Sequence, residues 1–214
     1  MRKNFSVLLL LLVAAISGCN QEKAQVETYL NALTTSNEAM KAIAKEMETS
    51  MGGLREEISG GSFDAEKIKE KLKGFEGQMN DQKKKVEGLS VPEKCKVLHD
   101  TTVEQYQTAI EVLGKTPGMI DIAKKMSDVA EKLKKDPKQM KALQPEMTAA
   151  QEEMMKIQMG VMELAKKGQE LDGKAKAERK KLEEEFKIPA AATSTPAPSA
   201  GGSTPAPAAS PSQP

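Results

Sequence analysis

The sequence predicts an all-α protein: an elongated antiparallel helical bundle with coiled-coil-like packing, followed by a disordered C-terminal tail. Three observations lead there. The chain of 214 residues is rich in Ala, Glu, Lys, Leu, Met and Gln, the strong helix formers. Apolar residues recur at alternating steps of three and four through most of its length, and no two-residue alternation competes with them. The last stretch, 189–214, is almost entirely Ala, Pro, Ser, Thr and Gly, which cannot bury enough apolar surface to order itself.

The elements follow in order. Met1-Arg2-Lys3-Asn4 is a small basic head, and Phe5 to Ala15 is an apolar run too short for a comfortable membrane span. Ile16-Ser17-Gly18-Cys19 closes it. After a polar tether over 19–24, Val26, Leu30, Leu33, Asn37, Met40, Ala44, Met47, Met51, Leu54 and Ile58 form a heptad stripe on a first long helix. Ser59-Gly60-Gly61-Ser62 supplies a stop and a turn.

A second helix is expected from Phe63 to Gly88, with Ala65, Ile68, Leu72, Phe75, Met79, Gln82, Val86 and Leu89 as its stripe. Ser90-Val91-Pro92-Glu93 reads as a capping box with proline in the first turn. The third helix then carries Cys95, Leu98, Thr102, Tyr106, Ala109 and Leu113, and Gly114 ends it. Thr116-Pro117 is expected to start a fourth helix, which Asp136-Pro137 ends. Pro145 is expected to kink the chain or start a helix, and the fifth helix runs from Glu146. Its stripe is Met147, Ala150, Met154, Ile157, Val161, Leu164, Gly168, Leu171, Ala175, Glu178 and Leu182. Met155 and Met162 widen its apolar face, so the first half should touch two neighbours. From Lys166 the face narrows, and that end should project from the bundle. The domains are therefore a leader over 1–18, a tether over 19–24, one bundle over 25–188 and a tail over 189–214.

Ile16-Ser17-Gly18-Cys19, after a basic head and an apolar run, resembles the lipobox of bacterial lipoproteins. The resemblance covers residues 1–19 and implies a diacylated Cys19 thiol, cleavage before Cys19 and an acylated new amino group. It implies a chain anchored outside the cytoplasm in the bacterial envelope. Asn20 in place of Asp leans toward the outer membrane in a Gram-negative cell. Each buried methylene contributes about 0.8 kcal/mol, so two or three acyl chains would hold the protein to a bilayer almost permanently.

Charge and composition narrow the function. There are 32 Lys and Arg, including Arg2 and Lys3 of the leader, against 31 Asp and Glu, so no single-sign field steers nucleic acid. Only two Tyr, four Phe and no Trp are available as stacking platforms, which counts against nucleic-acid and glycan binding. With Cys19 acylated, Cys95 is the one thiol left and has no partner for an intrachain disulfide.

Three sets of residues could carry chemistry. Cys95 and His99 stand one helical turn apart, as two metal ligands or a thiol–imidazole pair would. No other Cys or His completes a site, although Asp100 and Glu104 are near in sequence, so the plain reading is a buried thiol beside a hydrogen-bonded histidine. Met155, Met159 and Met162 recur at four-three spacing, and soft thioethers can bind Cu(I) or form an adaptable groove; core packing is the plainer reading. The lysine runs, such as Lys83-Lys84-Lys85, lie near acids and read as solvated faces, with a cell-wall contact as the functional alternative. Glu56-Glu57 and Glu152-Glu153 are adjacent and diverge on a helix, so they make no acid/base pair. Phosphate-loop and hydrolase motifs are missing from the sequence. The expectation is a non-catalytic envelope lipoprotein without cofactor beyond its lipid, presenting helix faces to an envelope protein, to its own copies or to the wall. The alternative is a carrier with a Met-lined groove between helices.

Overall fold

The computed structural model describes residues 3–59 and 64–189, with side chains described over 20–52 and 64–189. Four long helices follow one another: α1 (Lys3–Ser59), α2 (Ala65–Glu87), α3 (Lys96–Lys135) and α4 (Met140–Phe186), with 3₁₀ turns at Glu93–Cys95 and Pro137–Gln139. The fold is an elongated antiparallel helical bundle, with no strand among the described residues. Of the expected stop, Ser59 is the last residue of α1, and Gly60-Gly61-Ser62, like the C-terminal tail from residue 190, lies outside the described residues. Residues 20–24, read as a tether, are wound into α1 and largely exposed.

Two apolar clusters hold the bundle. In the first, Ile43 of α1 meets Ile68, Leu72, Phe75 and Met79 of α2 and Ile110, Leu113 and Ile120 of α3. In the second, Val26, Tyr29, Leu30 and Leu33 of α1 meet Val86, Cys95, Leu98, Tyr106 and Leu182, so all four helices converge. Full burial of a side chain such as Leu30 or Leu33 contributes about 1.5–3 kcal/mol. The stripes read from sequence on the second and third helices do face inward. On α1, Asn37 is exposed and the neighbouring Ser36 accepts the Tyr106 hydroxyl at 3.1 Å instead. A helix touching several partners buries a face wider than one heptad seam.

Four expectations are corrected. The third and fourth helices are one helix, α3, with Pro117 inside it. Proline there removes a hydrogen bond and crowds the Leu113 carbonyl, at a cost of about 3 kcal/mol. Leu113 and Ile120 on either side are both buried in one cluster, and that shared burial keeps the helix running through the proline. Likewise α4 begins at Met140 and passes through Pro145. Ser90 does not cap: Pro92 occupies the extended capping position, and no side chain bonds the turn there. The start of α2 is capped by Asp64, whose carboxylate accepts from the Lys67 amide at 3.1 Å.

The fourth correction concerns which end projects. Residues from Lys166 onward are docked, not free: Leu171 and Leu182 are buried and Ala175 packs on the four-helix cluster. The end carrying only two helices is instead the α3–α4 hairpin around Asp136. Its cross-helix ion pairs among the described residues, Lys125–Glu153 at 3.3 Å and Lys132–Glu146 at 3.9 Å, join α3 to α4. The Asp136-Pro137 break is as read, with Asp136 accepting from the Lys138 amide at 3.1 Å.

Candidate functional site

The Cys95 region sits at the four-helix end. Pro92 starts a 3₁₀ turn, the Cys95 amide donates to the Pro92 carbonyl at 2.8 Å, and α3 leaves from there. The turn drives the Cys95 side chain fully into the core. Burial pushes the thiol up to about 11, so it is a neutral thiol at physiological pH. Tyr29 packs alongside, its ring centroid 6.2 Å from that of His99 and tilted by 54°. Burial, then the nearby Cys95 and Asp100, raise the Tyr29 phenol well above its ordinary range.

Two buried polar atoms there, Tyr29 Oη and His99 Nδ1, have no hydrogen-bond partner. The hydrogen-bonded histidine expected from the sequence is therefore not found at that nitrogen. The nearby acids do not turn inward to complete a ligand set: Asp100 is exposed, and Glu104 pairs with Lys167 of α4 at 2.9 Å. Among the described residues no three His, Cys, Asp or Glu side chains come together as a metal-binding group. A buried, protonated thiol is a poor nucleophile and a poor ligand.

The methionines divide. Met79 is buried, and Met40, Met47 and Met51 are partly buried against the three-helix cluster. Met155, Met159 and Met162 face solvent, at 61%, 53% and 69% exposure. They neither fill the core nor line a groove between helices, and the half of α4 that bears them packs on α3 with its other face. Gly118 permits that close approach: a Cβ there would stand 2.9 Å from Ile157 Cδ1. Two shallow depressions on the surface are lined mainly by polar and charged side chains, with Pro145 and Ala149 also in the first. One holds Lys141, Gln144, Thr148 and Glu152, the other Asp64, Lys67 and Lys73, and neither includes a methionine.

Sequence reasoning missed the company these methionines keep. Thr148, Gln151 and Gln158 share their face and are exposed and uncharged. Polar residues do not register in an apolar stripe. The readable signal was a lack of charge at three-four spacing, in a chain with 29% charged residues. Cys19 falls within the backbone of α1, and its side chain lies outside those described. Among the described residues no helix is long and apolar enough to cross a membrane.

The architecture defines the chain as an all-α antiparallel bundle with three solvent-facing methionines, Met155, Met159 and Met162, on α4. No protein-family model, curated protein or solved structure matches it.

Proposed function

We propose that the protein is a lipoprotein of the bacterial cell envelope, anchored through acyl chains on Cys19, whose work is non-catalytic presentation of helix faces to other proteins. The observation that carries this reading is the Ile16-Ser17-Gly18-Cys19 sequence placed so close to the core. Val26 is fully buried in the four-helix cluster. The intervening residues are helical, and at 1.5 Å per residue they span about 10 Å. A lipid on Cys19 would thus hold the four-helix end directly against the headgroups.

The interaction role is favoured by the solvent-facing Met155, Met159 and Met162, since exposed flexible thioethers suit adaptable protein contacts. The outer membrane is the expected location in a Gram-negative cell, from Asn20. The experiment is fractionation of Cys19→Ser beside the unaltered chain, with metabolic palmitate labelling. The reading expects label and membrane association for the unaltered chain and neither for the variant. A variant that still takes up label sinks it.

A further inference from the structure

We infer that the outer face of α4 is a self-association surface, on which α4 of a second copy lies antiparallel with Met159 at the two-fold axis. The inference rests on the interaction role proposed above and names the partner.

α4 carries two heptad seams. The inner one packs on α3 and the four-helix cluster. The outer one runs through Thr148, Gln151, Met155, Gln158, Met162 and Ala165, at steps of three and four, and every member is exposed. Such spacing keeps a seam facing one neighbouring helix along its whole length. The seam holds no charge, whereas the flanks of the same helix are densely charged. An exposed uncharged helical stripe of this length marks a contact surface.

Charge placement selects the occupant. On α4, Glu153 pairs with Lys125 and Lys167 pairs with Glu104, both within the bundle. Their neighbours Glu152 and Lys166, which border the outer seam, are exposed and form no ion pair among the described residues. Glu152 and Lys166 lie equally far, in opposite directions, from Met159. An antiparallel copy centred on Met159 therefore sets each Glu152 against the other copy's Lys166, twice over. In an antiparallel coiled coil the seam layers are offset from the flanking pairs, so the layers centre one residue further on, at Gly160, where Met155 meets Ala165 and Gln158 meets Met162. A parallel copy leaves Glu152 and Lys166 unpaired. Exposed ion pairs add little affinity, but they set register and direction.

The pairing fits an anchored chain. From Met159 to Leu182 is roughly 35 Å of helix, so the lipid-bearing ends of the two copies lie at opposite ends of the pair. The dimer would then lie along the bilayer with an anchor at each end. Confinement to a surface raises the effective concentration and favours even a weak seam.

The test is cysteine cross-linking of the full chain in its own membrane, using a short bismaleimide. Cys95 is buried, so the introduced thiols are the reactive ones. The double variant Gln151→Cys/Gln169→Cys, which keeps Glu152 and Lys166, is expected to give dimer, and Gln151→Cys alone is not. Adding Met155→Glu and Met162→Glu is expected to cut that dimer by at least about tenfold, with helicity unchanged because both residues are exposed. No dimer from the double variant, or a dimer from Gln151→Cys alone, overturns the inference. Intact mass of the same sample reads the acyl chains separately. An acylated chain that does not cross-link removes the self-association surface and leaves the anchored lipoprotein standing.

Discussion

Arg179 of α4 reaches Thr34 of α1, its Nη2 donating to Thr34 Oγ1 at 2.9 Å while its Nε donates to Glu183 at 2.8 Å. Thr34 in turn donates to the Leu30 carbonyl at 2.9 Å. This chain of bonds pins the last turns of α4 to α1, the helix that carries Cys19. Arg179→Ala is expected to cost about 1–3 kcal/mol, the value of a hydrogen-bonded charged group. Denaturant titration reads the loss, and amide exchange should show it concentrated in α4 after Leu171. Arg179→Lys recovers only part, because an ammonium cannot serve Thr34 and Glu183 in one fork.

The two buried tyrosines should separate cleanly. Tyr106 donates to Ser36, so Tyr106→Phe is expected to cost about 0.5–1.5 kcal/mol. Tyr29 Oη has no partner, so Tyr29→Phe removes only an unsatisfied buried group and should be neutral or stabilising. Thermal unfolding of the two variants checks the contrast.

Alkaline pH should weaken the fold partly through Cys95. Its thiol is raised from 9.0 to about 11 in the folded state. Between those values the unfolded chain has lost the proton that the folded chain keeps, so stability falls as pH rises. The contribution is fully present below about pH 9. Cys95→Ala should flatten the loss between about pH 9 and 11, leaving the part due to the raised tyrosines. Urea titration at several pH values measures the slope.

Backbone positions give predictions of both signs. Lys187 caps α4 in the left-handed region, φ 50, with the Ile188 amide donating to the Glu183 carbonyl at 2.9 Å. Lys187→Gly is expected to stabilise by about 0.5–1 kcal/mol, since glycine adopts that conformation freely. Gly118→Leu should destabilise by about 1–3 kcal/mol, because Ile157 already fills the space beside it. Calorimetry of both variants checks the signs.

Much of the fold was legible in the sequence, because a bundle is built from local periodicity. Ile68, Leu72, Phe75 and Met79 announce their buried face at three-four spacing, and the structure buries all four. Breaks were less legible. Pro117 and Pro145 are local signals that tertiary packing overrode, and nothing in their own windows reports the burial that offsets them. The docking of α4 beyond Lys166 was also hidden, since it depends on Leu182 joining the cluster of Val26, Leu30 and Leu33, far away in the chain. At the candidate site, the burial of Cys95 could be read from its place on the stripe. The unpartnered His99 Nδ1 and the exposure of Met155 could not, because both depend on which face a neighbouring helix covers.

The most direct measurement is the intact mass of the natural protein taken from membranes. The account predicts a chain that begins at Cys19, heavier than its sequence by a diacylglyceryl group and an amide-linked acyl chain. A mass matching an unmodified chain, with residues 1–18 retained or removed, would contradict it.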